Sequence, residues 1–137
     1  MVTGLLVAIY VHDLVRASDF YCALLDFEVA FSADWCVQLA SIASPDVKLM
    51  LQPRSDGLVP EAFRKPPQGV GITFSVPDCD AVYERAQAMA LHIVKPPTNE
   101  AYGQRRFLTV DPDGTLIDIS SRCEPSPEFI AQYMGGN

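Results

Sequence analysis

The sequence predicts an α+β fold: two tandem βαβββ modules whose strands form a curved mixed sheet around a cleft. Three observations predict it. The chain repeats itself: Leu6-Val7-Ala8-Ile9-Tyr10-Val11-His12-Asp13 is answered by Gly71-Ile72-Thr73-Phe74-Ser75-Val76-Pro77-Asp78, a shift of 65 from Leu6 to Gly71. Ser44-Pro45-Asp46-Val47-Lys48-Leu49-Met50-Leu51 is answered by Asp111-Pro112-Asp113-Gly114-Thr115-Leu116-Ile117-Asp118, a shift of 67 from Ser44 to Asp111. Two matches in the same order at nearly the same shift mark a duplicated supersecondary unit. In both copies, moreover, a β-rich run ends in Val-x-Asp and passes into apolar residues at helical spacing.

Residues 4–11, rich in Leu, Val, Ile and Tyr, read as the first strand. Asp13 follows as a helix N-cap, its carboxylate placed to accept from free amides of the first turn. Ala17, Phe20, Tyr21, Leu24 and Leu25 then give one apolar helical face. Strands are predicted near 27–32, 35–41 and 47–52, with Pro45-Asp46 as a turn between the last two. The second copy runs from a strand at 70–76 through a cap at Asp78. Val82, Ala86 and Met89 mark its helix, and strands follow near 92–95, 105–110 and 115–121. Asp111-Pro112-Asp113-Gly114 is a hairpin signal, because Pro presets φ and Gly takes the left-handed position.

The boundaries follow. Residues 1–137 form a single domain, with a first module at about 4–53 and a second at about 70–122. The Pro- and Gly-rich stretch 54–69 is the linker, and a C-terminal helix at about 126–134 carries Phe129, Ile130 and Tyr133.

Composition narrows the function. With 137 residues, 49% of them hydrophobic and 20% charged, the chain can bury a core and is neither disordered nor fibrous. The net charge of -7 speaks against nucleic acid, whose phosphates call for clustered Lys and Arg, and suits a cationic ligand. No apolar run reaches the roughly 18 residues of a membrane span. The start lacks a basic segment ahead of its apolar stretch, so no secretory signal is expected. Cys22, Cys36, Cys79 and Cys123 form no CxxC and are expected as buried, reduced thiols in a cytoplasmic protein.

Side chains alternate faces along a strand. Ile72, Phe74 and Val76 therefore take one side, toward a helix, and Gly71, Thr73 and Ser75 the other. In the first copy Leu6, Ala8 and Tyr10 lie opposite Val7, Ile9 and Val11. A small, partly polar inner wall suits a ligand-sized hollow, or a face closed by dimer contacts. Trp35, the sole tryptophan, is expected to begin a strand, either as core or as a stacking platform for a planar ligand, with Tyr10 and Tyr102 beside it.

Three segments carry a resemblance to a known family. They are Ile9-Tyr10-Val11-His12-Asp13 leading to Phe20-Tyr21; Phe74-Ser75-Val76-Pro77-Asp78; and Gly103-Gln104-Arg105-Arg106-Phe107 running to Asp111-Pro112-Asp113-Gly114-Thr115-Leu116-Ile117-Asp118. Over about residues 4–121 the chain resembles the vicinal oxygen chelate superfamily of glyoxalase I, bleomycin-resistance proteins and extradiol dioxygenases. The resemblance implies paired βαβββ modules, an incomplete barrel and a homodimer. It also implies metal-ligand positions on the first and last strand of each copy. Matched on the repeats, these fall on Leu6, Gly71, Leu51 and Asp118, of which only Asp118 has a ligand atom. A catalytic divalent site needs about three protein ligands, so no metal and no cofactor is expected.

Asp118, flanked by Ile117 and Ile119, then needs a partner. Arg105 and Arg106 are the candidates, and alternation alone leaves open which points inward. Asp118 is either half of a structural ion pair, a carboxylate aimed at a ligand, or a general base. The reading favoured is a small-molecule binder akin to the bleomycin-resistance branch, enclosing a planar or cationic compound without turnover. The expected ligand contacts are Leu6, Tyr10, Trp35, Leu51, Gly71, Thr73, Tyr102, Arg106 and Asp118. The alternatives are a glyoxalase-type lyase or isomerase, metal-dependent or using Asp118 as base, and a non-catalytic dimerisation module.

Overall fold

The computed structural model describes residues 1–135; Gly136 and Asn137, the end of the predicted domain, lie outside the described residues. The chain divides into two compact units, Met1–Gly69 with Asp111–Thr115, and Val70–Val110 with Leu116 onward.

The first unit begins with β1 (Val7–Val11) and α1 (Leu14–Leu25). Three strands follow, β2 (Phe27–Ala33), β3 (Cys36–Ser41) and β4 (Lys48–Pro53). They form a mixed four-stranded sheet, ordered β1-β4-β3-β2. β1 runs parallel to β4, and the other pairs are antiparallel. Asp13 caps α1 by accepting from the Arg16 amide at 3.1 Å. The helix covers one sheet face only: Ala17, Phe20, Tyr21 and Leu24 are buried, as are Ile9, Val11, Val37, Leu39, Leu49 and Leu51.

The second unit repeats the plan. β5 (Gly71–Ser75), α2 (Cys79–Ala88), β6 (Ile93–Asn99), β7 (Gln104–Val110) and β8 (Leu116–Arg122) give a mixed sheet ordered β5-β8-β7-β6. Asp78 caps α2 by accepting from the amides of Asp80 and Ala81 at 3.0 and 3.3 Å. Cys79, Val82 and Ala86 bury with Phe107, Ile117 and Ile119, and the Tyr83 ring meets Phe107 edge-on at 5.2 Å. Past β8, Ser126 caps a short α3 (Pro127–Phe129) that continues into a wider helical turn, Ile130–Met134. Within 54–69 the regular structure is one short helical turn, Glu61–Phe63.

Several elements depart from expectation: β1 begins at Val7 rather than at residue 4, and β6 runs on to Asn99 rather than ending near 95. Trp35 does not begin a strand. It sits in the turn between β2 and β3, 43% exposed, where the chain reverses too tightly to bury an indole. The last strand of each copy also begins one residue later than expected, at Lys48 and at Leu116.

The predicted turn at Asp111 is a buried polar knot of the first unit. Its carboxylate Oδ1 accepts the amides of Asp113 and Thr115, both at 2.9 Å, and Gly114 takes φ 88°. Oδ2 accepts the Tyr21 hydroxyl at 2.6 Å. Burial, and then the charge of Asp111, hold the Tyr21 phenol far above its ordinary range, so it remains a donor. Asp113 Oδ1 accepts the His12 amide at 2.8 Å and pairs with Arg54. These bonds explain why aspartates can be buried here.

Removing the Tyr21 hydroxyl in Tyr21→Phe leaves a buried carboxylate oxygen without its donor. The expected loss is about 1.5–3 kcal/mol by urea denaturation, with the fold retained. All four cysteines are free, and burial pushes the thiols of Cys36 and Cys79 up. Both are expected to stay silent to a disulfide reagent until the protein is unfolded.

Candidate functional site

Because each helix covers one side of its sheet, each sheet keeps an open face. In the second unit Gly71, Thr73 and Ser75 are exposed along β5, as strand alternation predicts. The registers set Thr73, Asp118, Leu108 and Lys95 in one row across the four strands. Arg106 stands beside that row, opposite Ser120 and Thr98. Arg105 turns the other way, to the helix side, where it pairs with Asp80 at 3.0 Å and donates to Asn99 at 3.0 Å. The alternation left open by the sequence is therefore decided for Arg106.

The polar side chains on this face are linked. Asp118 Oδ2 accepts Thr73 Oγ1 at 2.9 Å and Arg106 Nη1 at 3.4 Å, while Oδ1 is buried without a hydrogen-bond partner. Arg106 Nε donates to Glu100 Oε2 at 2.7 Å, and Lys95 Nζ donates to the same oxygen at 2.8 Å. The hydrogen bonds from Lys95 and then Arg106 hold the Glu100 carboxyl below the ordinary carboxylate range. Tyr102, in the turn joining β6 and β7, is 49% exposed.

The open face of the first unit is different in kind. One row runs Ala8, Met50, Gln38, Phe31, and Tyr10 stands opposite Gln52. Trp35 lies beyond Phe31, with ring centroids 6.1 Å apart. Leu6 precedes β1 and is exposed. Leu51 is a correction: it pairs with Ile9 and Val37, is fully buried, and belongs to the face under α1. Ala8 faces Met50 as Thr73 faces Asp118, so the counterpart of Asp118 is Met50. The cause lies after the turn proline: Pro45 to Met50 is one residue shorter than Pro112 to Asp118, so matching the two prolines slips the first copy by one. A one-residue slip moves a side chain to the opposite face.

These residues do not fit a divalent metal. Leu6 and Gly71 carry no donor, Met50 offers only a soft thioether, and Asp118 already faces a guanidinium, whose charge opposes a second cation. Among the described residues no three His, Cys, Asp or Glu side chains gather as a possible metal site. Lys95, Glu100, Met50 and Phe31 were missed by sequence reasoning. Phe31 and Lys95 each depend on an irregular register, between Val29 and Phe31 in β2 and between Ile93 and Lys95 in β6, which alternation does not reveal.

Comparison with known proteins agrees with this architecture. A family described as the Glyoxalase/Bleomycin resistance protein/Dioxygenase superfamily matches residues 5–119. A superfamily member from Sphaerobacter thermophilus DSM 20745 superposes with a TM-score of 0.73 at 24% identity, over 89% of this chain and 98% of that one. A glyoxalase/bleomycin resistance protein/dioxygenase from Nocardioides gives 0.72 at 20% identity, over 92% and 87%. TioX from Micromonospora sp. ML1 gives 0.67 at 19%, over 88% and 98%. At these identities the likeness is one of fold. No curated protein matches the chain.

The depressed Glu100 carboxyl has a defined sign. Its stabilising contribution is present above the ordinary glutamate range and is lost as pH falls through the lower folded value. Glu100→Gln is therefore expected to cost up to about 1 kcal/mol at neutral pH, with the difference from the parent shrinking as the medium is acidified below the ordinary glutamate range, in urea melts across pH.

Proposed function

Since the chain belongs to the glyoxalase/bleomycin resistance protein/dioxygenase superfamily, we propose that it works as a metal-independent binder of a planar organic molecule. The observation that carries this reading is the state of Asp118. The one oxygen ligand at the metal-type positions is already held by the protein's own Thr73 and Arg106. Binding energy then comes from shape, stacking and hydrogen bonds. The open face of the first unit supplies the means. Phe31 and Trp35 are 48% and 43% exposed, and a π face attracts flat rings. Met50 adds a polarizable, adaptable surface, and Gln38 an amide for orientation.

Calorimetric titration with a panel of planar heteroaromatic compounds tests the proposal. Saturable binding by at least one member is expected, weakened about three- to tenfold by Trp35→Ala, consistent with the loss of one aromatic contact. No binding to a folded sample, or equal affinity in the variant, sinks the stacking site. Elemental analysis of protein purified without chelator tests the metal-independent part. A stoichiometric transition metal there would overturn it.

A further inference from the structure

The open face of the second unit turns outward a donor capacity that the protein itself does not use. Lys95 reaches this face through an irregularity in β6. Ile93 stands opposite Thr109, which is fully buried on the helix side with its hydroxyl donating to the His92 carbonyl at 2.7 Å. Strict alternation would carry Lys95 to the helix side as well, level with Phe107. A register shift between Ile93 and Lys95 sets it opposite Leu108 instead, in the row of Asp118. A bulge interrupts the ladder and re-aims a side chain. Here it brings a second cation to Glu100, the carboxylate that already accepts from Arg106 Nε.

A hydrogen-bond inventory shows what is left over. An ammonium has three N–H donors and a guanidinium five. One from Lys95 and two from Arg106 are engaged by the protein. On the acceptor side, Glu100 Oε2 and Asp118 Oδ2 each take two donors and Asp118 Oδ1 is buried away from any ligand, which leaves one carboxylate oxygen, Glu100 Oε1, against five remaining N–H donors. Exposure follows the same order. Lys95 and Arg106 are 36% and 26% exposed, Glu100 and Asp118 only 18% and 15%. The carboxylates form the inner layer of the cluster and the cations its outer layer.

We propose that Lys95 and Arg106 form a binding site for the oxyanion group, carboxylate or phosphoryl, of a small molecule. The bulge positions the ammonium, and Glu100 fixes both cations through one oxygen. This assignment runs against the overall charge of -7, which favours a cation. Distant charges are screened beyond about 8–10 Å at physiological salt, whereas a bound group reads the donors in contact with it. The site lies within the second unit and does not depend on the stacking surface of the first.

The test is NMR of the Arg106 Nε–H and Lys95 ammonium resonances, at constant ionic strength set with chloride. Sodium acetate, sodium phosphate, acetamide and methylammonium chloride are titrated separately. Acetate or phosphate is expected to shift both resonances saturably, and the stronger of the two identifies the oxyanion; acetamide and methylammonium should leave them in place. Lys95→Gln should weaken the response about five- to tenfold, while Glu100→Gln, which frees both cations, should strengthen it by a similar factor. A purely structural ion network predicts no saturable shift with either anion in the parent protein. No saturable shift with either anion, equal shifts with all four compounds, or an unaffected Lys95→Gln would overturn the proposal. Thermal melts confirm that the variants fold. Should Glu100→Gln fail to fold, the exposed Lys95→Gln decides the matter alone. Titration of Trp35→Ala with the same salts should match the parent, which separates this site from the stacking surface.

Discussion

One helix can cover only one face of a four-stranded sheet. Much of the architecture follows from that. Each module has a single amphipathic helix, so half of its strand positions are apolar and buried while the other half remain open. In the first unit the rule puts Ile9, Leu49, Leu51 and Val37 under α1 and frees Ala8, Met50, Gln38 and Phe31. In the second it puts Phe107, Ile117 and Ile119 under α2 and frees Thr73, Asp118 and Arg106. The two open faces have diverged, one aromatic and soft, the other ionic. Duplication supplied the frame, and substitution on the uncovered side gave each half its own chemistry.

The frame was readable because its causes are local. Val-x-Asp at the end of a strand places a capping carboxylate where a helix must begin, and both Asp13 and Asp78 cap as expected. Period-2 alternation placed Gly71, Thr73 and Ser75 on the open face, and Asp-Pro-Asp-Gly placed the turn. What the turn signal could not convey is that Asp111 and Asp113 are themselves buried. Their partners Tyr21, His12 and Arg54 are 90, 101 and 59 residues distant in sequence, and no local pattern announces such contacts.

The site was less legible, for a physical reason. Face assignment rests on counting residues, and a single added residue reverses it. The shorter stretch between the turn proline and β4 gave Leu51 an apparent match to Asp118 when Met50 holds that register. The irregularity in β6 hid Lys95 in the opposite way, by moving it onto the open face. Arg105 and Arg106 could not be told apart because both neighbouring alternations mix polar and apolar residues. Only the pairing of β7 with β8 separates a helix-side Arg105, held by Asp80, from an open-face Arg106, held by Glu100 and Asp118.

The same counting explains why the ionic cluster sits where it does. A carboxylate in mid-strand loses hydration and needs compensation, and on this sheet the compensating charges can come only from neighbouring strands. Arg106 on β7 reaches Asp118 on β8, and its Nε is left for a second acceptor. Glu100, at the end of β6, meets that need, and the displaced Lys95 adds a second charge to the same oxygen. Each group answers the demand of the one before it, from the buried carboxylate outward. With four alternating charges, Asp118, Arg106, Glu100 and Lys95, the chain ends on the sign opposite to the one it started from. Here it finishes on cations, and the polarity of the open face is set by the acid beneath it.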